Sequence, residues 1–284
     1  MKYGSHEICA GREIRLFLSD VDGSLFTPDH RVTPRAFGAI GLLKKSGIGF
    51  SVVSGRPPSA LLNLISELGL TLPLAAFNGA MVIRPDLTVI EEHLLDGDTA
   101  ALVIAALEAE GVDVWLYRGK DWFIKEGSSA HVTHEVANAG FEPTFVGQLD
   151  PSLGAAKIVA VSDDPGQLAR CEKALRKAFD ERVSAQLSQT FYLDVTHPNA
   201  NKGAVVQTLS RLLSIPTQCF ATLGDMANDI SMFEVSGLSI AMGNANQEVK
   251  EAADLRTKRN DDEGFAYSVE SIVLPMALAY RSVA

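Results

Sequence analysis

The chain has 284 residues, of which 46% are hydrophobic and 21% are charged, and its formal net charge at pH 7 is −10. This length and composition indicate one large domain or two ordinary ones with a substantial core. The acidic balance argues against a general nucleic-acid-binding protein, and any phosphate site must therefore be made locally positive by a metal ion, a lysine or a helix N-terminus.

The N-terminal part of the chain alternates predicted strands and helices. Residues 14–19 form an apolar run that predicts a buried strand. Thr33 is typical of a helix N-cap, and Gly47 is typical of the position just after a helix end. Residues 48–53 predict a second strand, and a further helix follows it. Strand and helix alternating at this spacing indicate a parallel sheet with right-handed crossovers.

The pattern changes after Asn78-Gly79, which is a strong signal for a turn. Residues 98–110 predict a helix, and residues 114–117 and 122–124 predict a hairpin. Because this middle part of the chain mixes hairpins with helices, we expect an α+β insert built on its own small sheet.

The alternation of predicted strands and helices returns after Lys202. A strand at residues 219–223 ends at Gly224, and another at residues 238–242 is followed by Asn244, which we expect to cap the helix near Glu248. The last helix is predicted over residues 264–280.

The predicted fold class is α/β, with a Rossmann-like parallel-sheet core, helices on both faces of that sheet and an inserted α+β cap domain. We predict that residues 1–84 and 197–284 form the core domain and that residues 85–196 form the cap.

Polar side chains follow the ends of the predicted core strands. Asp20 and Asp22 follow the first strand, at positions i and i+2 of an extended chain, and therefore face the same side. Two close carboxylates repel each other unless a divalent cation or a proton holds them. Ser54 follows the second strand and Asp225 a later one. In an open α/β sheet such strand ends converge on one crevice, where ligands bind.

Asn228 and Asp229 lie three and four residues after Asp225. If a helix begins beside Asp225, these side chains share one of its faces. A set of carboxylate and amide oxygens suits Mg²⁺ better than zinc.

These motifs, in this order, resemble those of the haloacid dehalogenase (HAD) superfamily, and in particular its Cof-type phosphatases of subfamily HAD-IIB. The matching segments are DVDGS at 20–24, SGR at 54–56, KG at 202–203 and GDMAND at 224–229. The first and last of these are the specific ones, and the resemblance covers nearly the whole chain.

The resemblance implies a phosphomonoester hydrolase that works through an aspartyl-phosphate intermediate. Asp20 would attack phosphorus, and Asp22 would protonate the leaving alcohol and later accept a proton from water. Ser54 and Lys202 complete the implied catalytic set.

The resemblance also implies the ligand-binding residues. Asp20, the backbone carbonyl of Asp22 and Asp225 would hold Mg²⁺, and Asp229 would either ligate it or orient its waters. The phosphate would contact Val21, Gly55 and Lys202, and Asn228 would contact either the phosphate or Lys202. Arg56 would either contact substrate or pair with an acidic residue.

The implied cap is large enough to shield the site from water. Its bulk also favours small phosphorylated metabolites over phosphoproteins as substrates. The resemblance suggests sugar phosphates first and cofactor phosphates such as pyridoxal phosphate second. Two alternatives stay open, namely a sugar phosphomutase or phosphotransferase, and a non-catalytic regulatory module that binds Mg²⁺ and phosphate. Asp22 argues against the second, because binding alone needs no acid/base.

The remaining expectations concern cellular context. The chain has three widely spaced cysteines, Cys9, Cys171 and Cys219. Its N-terminus has no continuous apolar segment. No apolar run approaches the roughly 20 residues of a membrane span. We therefore expect a cytoplasmic protein with reduced thiols and no membrane or nucleic-acid partner, acting as a monomer or weak homodimer. The aromatic residues Trp115, Tyr117 and Trp122 either pack the insert or line a substrate lid.

Overall fold

The fold is given by a computed structural model that describes residues 12–125 and 131–281. Backbone contacts separate these residues into two units. The described residues of the first unit lie within Met1–Ser54, Ser66–Ala75 and Asn201–Ala284, and those of the second within Gly55–Ile65 and Ala76–Ala200. The predicted domain limits at residues 84 and 197 stay a prediction.

The secondary structure is as follows, in chain order. The strands are β1 (Leu16–Asp20), β2 (Gly49–Val53), β3 (Leu74–Ala76), β4 (Met81–Ile83), β5 (Val89–Glu92), β6 (Asp113–Arg118), β7 (Asp121–Lys125), β8 (Thr144–Val146), β9 (Lys157–Val161), β10 (Ser184–Gln189), β11 (Tyr192–Thr196), β12 (Phe220–Gly224), β13 (Leu238–Ala241) and β14 (Leu255–Arg256). The helices are α1 (Pro34–Lys45), α2 (Leu62–Leu68), α3 (Gly97–Ala109), α4 (His131–Ala139), α5 (Pro165–Phe179), α6 (Lys202–Leu213), α7 (Ile230–Val235), α8 (Gln247–Ala252), α9 (Gly264–Ser268) and α10 (Leu274–Arg281).

The first unit contains the predicted parallel sheet. Its strands lie in the order β14-β13-β12-β1-β2-β3, and their neighbouring pairs run parallel. The central strands β1 and β12 are buried along their whole length, as their continuous apolar sequences require. The α/β class with a parallel-sheet core is therefore confirmed, and the carboxyl ends of β1, β2 and β12 lie at the same edge.

Local signals explain the helices that border this sheet. Thr33 caps α1 as predicted, because its hydroxyl oxygen accepts a hydrogen bond from the amide of Ala36 at 3.1 Å. Asn201 caps α6 in the same way, accepting from Ala204 at 2.9 Å. The predicted last helix runs without a break from Gly264 to Arg281, and it widens to a π-helical turn at Val269–Val273 between α9 and α10.

The second unit has its own sheet, with strand order β10-β11-β9-β6-β7-β8. The predicted hairpin is formed by β6 and β7, in which Tyr117 pairs with Trp122. One face of this sheet, including Leu116, Ile158 and Val195, joins residues of α3 and α5 in a hydrophobic core. Because side chains alternate along a strand, the other face carries a different set of residues, among them Tyr117.

Two expectations about cellular context meet the structure directly. None of the described helices has the length and apolar character needed to cross a membrane. Cys171 and Cys219 are free, buried thiols, and Cys9 lies outside the described residues.

Candidate active site

Asp20 lies at the end of β1, where the strand gives way to the turn Val21–Leu25. Its side chain is buried, and Val53 of the neighbouring strand β2 is its register partner. Ser54 follows Val53 directly and is also buried, so the structure brings two of the predicted residues to adjacent strand ends.

Gly23 allows the turn after β1 to approach the end of β12. Its φ of +83° lies in the left-handed region, which favours glycine. A Cβ at this position would collide with the carboxylate of Asp225. The first and fourth motifs are therefore in close contact only because residue 23 has no side chain.

Lys202 is the central charge of the site. Its side chain is 1% exposed, and Nζ lies 2.6 Å from Asp20 Oδ1 and 2.6 Å from Asp229 Oδ1. Burial alone would lower the pKa of Lys202, but the two carboxylates outweigh this effect, so its pKa is raised and the ammonium stays charged. Lys202 thus joins the first, third and fourth motifs through one buried group.

Asp229 uses both of its carboxylate oxygens within the protein. Oδ1 accepts from Lys202, while Oδ2 accepts from the backbone amides of Asp225 at 2.8 Å and Met226 at 2.9 Å. A Cβ at Gly224 would collide with this carboxylate. Asp229 therefore fixes the loop after β12 and holds the lysine at the same time.

Asp225 is held by neutral donors. Ser24 Oγ donates to its Oδ1 at 3.3 Å, and Asn244 Nδ2 donates to its Oδ2 at 3.1 Å. Burial, and next the charge of Asp229, raise the pKa of Asp225 to about 7. Its proton is therefore held far more tightly than that of an ordinary aspartate.

The expectation that Asn244 caps a helix was wrong. Asn246 caps α8, accepting from Val249 N at 3.0 Å, whereas Asn244 donates to the carbonyl oxygen of Gly23 at 2.9 Å as well as to Asp225. Asn244 follows β13, so the rule that ligand-binding residues follow strand ends would have found it.

The site carries an excess of negative charge that fits a divalent cation. Asp20, Asp225 and Asp229 each offer an oxygen within 4.8 Å of the others, against the single ammonium of Lys202. Burial, and the charges of Asp229 and Asp225, raise the pKa of Asp20 well above its usual range although Lys202 opposes them. Asp20 Oδ2 is buried and has no hydrogen-bond partner among the described residues. Hard oxygen donors with one unsatisfied carboxylate oxygen suit Mg²⁺.

Asp22 has a different environment from Asp20. It lies inside the turn, its side chain is 41% exposed, and its Oδ1 is 3.4 Å from His30 Nδ1. The two acids are thus separated into one buried and one solvent-accessible carboxylate, an arrangement that suits different chemical roles.

The remaining predicted site residues lie within two residues of Asp20, Ser54 or Asp229 in the sequence. Val21 is buried in the turn after Asp20, and Asn228 lies in the short turn Ala227–Asp229. Gly55 and Arg56 follow Ser54 but belong to the second unit. There the Arg56 carbonyl oxygen accepts from Phe77 N at 3.0 Å.

Comparison with known proteins gives a consistent family. The family model for haloacid dehalogenase-like hydrolases matches residues 17–269. Phosphatase YwpJ of Bacillus subtilis (strain 168) is 23% identical over 287 residues, which cover 92% of this chain and 100% of that protein. HMP-PP phosphatase of Escherichia coli O81 (strain ED1a) is 25% identical over 236 residues, which cover 83% of this chain and 86% of that protein.

Solved structures agree in fold. A crystal structure from Thermotoga maritima superimposes with a TM-score of 0.80 at 27% identity, covering 91% of this chain and 97% of that one. A haloacid dehalogenase-like hydrolase from Bacteroides thetaiotaomicron gives a TM-score of 0.82 at 23% identity, covering 91% and 99%.

Proposed function

The chain belongs to the haloacid dehalogenase-like hydrolases and is a phosphatase, and we propose that it hydrolyses phosphomonoesters of small metabolites through an aspartyl-phosphate intermediate with the help of Mg²⁺. One observation carries this proposal. Lys202 holds Asp20 Oδ1 at 2.6 Å, while the other carboxylate oxygen of Asp20 is buried and has no partner among the described residues. A fixed carboxylate with one available oxygen is what attack on phosphorus requires.

In the proposed reaction Asp20 attacks phosphorus, the bond to the leaving oxygen breaks, and Asp22 gives its proton to that oxygen. Asp22 then accepts a proton from the water that attacks the aspartyl-phosphate, which restores Asp20 and releases phosphate. The exposure of Asp22 supports this role, because an acid/base must exchange protons with substrate and solvent.

Positive charge and backbone donors stabilise the phosphoryl group in this proposal. Lys202 supplies a compact charge, and Ser54 with the amides of Val21 and Gly55 supplies hydrogen bonds. Asn228 and Arg56 complete the proposed contacts to phosphate and substrate.

The carboxylates also support a metal site. Asp20, Asp225 and the backbone carbonyl of Asp22 would hold the ion, which would neutralise the paired carboxylates and the phosphoryl oxygens. Asp229 is held by the charged Lys202 and by two backbone amides, whereas Asp225 is held by the neutral donors Ser24 and Asn244. We therefore propose a positioning role for Asp229 and a ligand role for Asp225.

The family resemblance and one named relative both suggest substrate classes. Sugar phosphates remain the first expectation and cofactor phosphates the second, with residues 85–196 proposed as the cap that selects between them. The resemblance to an HMP-PP phosphatase adds cofactor precursors to the candidates. We further propose that the protein acts in the cytoplasm as a monomer or weak homodimer.

Steady-state hydrolysis of p-nitrophenyl phosphate tests the proposal. We expect Mg²⁺-dependent release of phosphate by the wild type, loss in EDTA, recovery with added Mg²⁺, and loss in Asp20→Asn. Retained activity in Asp20→Asn or in chelator would contradict the nucleophile or the metal assignment. Isomerised product that requires a bisphosphate activator would indicate a mutase, and binding of phosphate without turnover would indicate a regulatory module.

A further inference from the structure

The loop 257–264, which we call the tail loop, packs against the loop that carries Asn244, and both belong to the first unit. The amide of Gly243 donates to the carbonyl oxygen of Lys258 at 2.8 Å. A Cβ at Gly243 or at Gly264 would collide with the backbone of Lys258. The tail loop is therefore fixed by close backbone contact directly beside Asn244.

Asn260 is the residue of the tail loop that turns toward the candidate active site. It is half-buried, whereas its neighbours Arg259 and Asp261 are exposed. Its backbone amide donates to Asn244 Oδ1 at 3.0 Å, and its side-chain Nδ2 donates to the carbonyl oxygen of Phe26 at 2.9 Å. Asn260 thus uses a backbone donor and a side-chain donor on two different segments of the first unit.

The backbone amide of Asn260 fixes which way the Asn244 side chain points. That amide can only donate, and the carbonyl oxygen of Gly23 can only accept. Asn244 must therefore turn Oδ1 toward Asn260 and Nδ2 toward Gly23 and Asp225, as the contacts show. A reversed amide would bring two donors together at Asn260 and two acceptors together at Asp225.

The side chain of Asn260 holds the turn that follows β1. The amide of Phe26 closes the turn Val21–Leu25 by donating to the carbonyl oxygen of its first residue at 2.8 Å. Asn260 holds the carbonyl oxygen of Phe26, while the side-chain amide that it orients holds that of Gly23. The turn that carries the proposed ligand carbonyl of Asp22 is therefore held at two points that both depend on Asn260.

We propose that Asn260 is a positioning residue for the metal site of the proposed phosphatase, which it reaches through the Asn244 amide and the Phe26 carbonyl rather than by contact with the ion. The inference rests on the Mg²⁺ site of the proposed function and not on turnover. Residues that orient metal ligands typically contribute tenfold or more to metal affinity. Because such coupling is reciprocal, bound Mg²⁺ should in turn hold the tail loop in place.

Calorimetric titration of the metal-free protein with Mg²⁺, at about 0.15 M salt to screen surface charges, tests the proposal. Asn260→Asp keeps the shape of the side chain but sets an acceptor against the Phe26 carbonyl, which should also displace the amide that orients Asn244. We expect about tenfold weaker Mg²⁺ binding. The added negative charge by itself would attract Mg²⁺, so a loss of affinity cannot come from that charge. Asn260→Ala removes the donor without adding repulsion and should weaken binding less, but measurably.

Asp261→Asn is the matched control, because Asp261 is the next residue and forms an exposed pair with Arg259 within the tail loop. It should leave the Mg²⁺ affinity unchanged. In an Asn244→Ala background, Asn260→Asp should cost a smaller factor, because part of its effect passes through the missing side-chain amide. An equal factor in both backgrounds would overturn the route through Asn244.

Amide hydrogen exchange gives a second readout that does not depend on activity. At saturating concentration, Mg²⁺ should slow exchange in the tail loop of the wild type but not in Asn244→Ala. Wild-type Mg²⁺ affinity in both Asn260 variants, even with a lower urea stability in EDTA, would overturn the inference and indicate a purely structural role. Weaker Mg²⁺ binding by these variants of a protein without turnover would support the inference while contradicting the phosphatase reaction. A wild type that binds no Mg²⁺ would contradict both.

Discussion

Asp229 holds Lys202 at 2.6 Å with one carboxylate oxygen while its other oxygen accepts two backbone amides. One of the two acids that pair with the lysine is therefore also the residue that shapes the loop carrying Asp225. An asparagine at position 229 would place a side-chain donor against either the ammonium or the amides. Asp229 therefore has two roles, because it shapes the loop after β12 and also holds the Lys202 ammonium.

We expect Asp229→Asn to lower the free energy of unfolding by about 3 kcal/mol, the low end for breaking one side of a buried ion pair. The catalytic activity should fall as well, because Lys202 would lose one of the two carboxylates, those of Asp20 and Asp229, that hold its ammonium in place. Urea unfolding and p-nitrophenyl phosphate hydrolysis measure the two effects. The control is Asp262→Asn, which removes an exposed pair with Lys258 and should cost less than about 1 kcal/mol. Equal stability of the two variants would contradict the structural role of Asp229.

The pKa of Asp225, raised from 3.8 to about 7, predicts an unusual pH dependence for the metal-free protein. Because the folded state binds this proton more tightly than the unfolded state, the folded state is favoured at low pH. This stabilisation is lost as the pH rises from about 4 to about 7. In EDTA, stability should therefore decline across this range by up to about 4 kcal/mol through this one group.

Asp225→Asn should flatten that decline, and Mg²⁺ at neutral pH should restore the stability of the wild type but not of the variant. Urea unfolding at pH 5 and pH 7.5, with chelator or with Mg²⁺, checks both expectations. A decline of equal size in Asp225→Asn would show that other groups cause it.

Asn244 and Asn246 provide a matched pair of substitutions two residues apart. Asn244→Ala removes donors to Asp225 and to the Gly23 carbonyl oxygen, and we expect Mg²⁺ affinity to fall roughly 10–100-fold, as for residues that orient metal ligands. Asn246→Ala removes only the cap of α8 and should cost about 1 kcal/mol of stability without changing the affinity. Mg²⁺ titration of activity together with thermal unfolding separates the two. The same loss of affinity in both variants would refute the positioning role of Asn244.

These residues show what the sequence could predict and where it stopped. Asp20, Ser54 and Asp225 were predictable because they follow apolar strands, and the ends of parallel strands share one edge. Asn244 obeys the same rule, but asparagine is also a common helix cap, and the choice between these roles depends on a contact across 19 residues with Asp225.

The second unit was less predictable for a physical reason. Alternation along β6, β9 and β11 predicts which side chains share a face, but it does not predict whether a buried polar atom finds a partner. The partners of Asp194 and Trp122 depend on side-chain packing from several strands, which a local pattern does not encode. The exact limits of the units were likewise set by contacts between distant segments rather than by composition.

The half-exposed Asp22 leads to a prediction about the order of steps. Asp22→Asn keeps the shape of the side chain but cannot donate or accept the proton. For a hexose 6-phosphate, whose leaving alkoxide needs that proton, we expect kcat to fall by roughly 10²–10⁴. p-Nitrophenolate leaves without a proton, so the first step should persist while hydrolysis of the aspartyl-phosphate slows. Rapid mixing of Asp22→Asn with p-nitrophenyl phosphate should then release about one equivalent of nitrophenolate per active site before a slow steady state. Equal losses for both esters with no burst would show that Asp22 is not the acid/base.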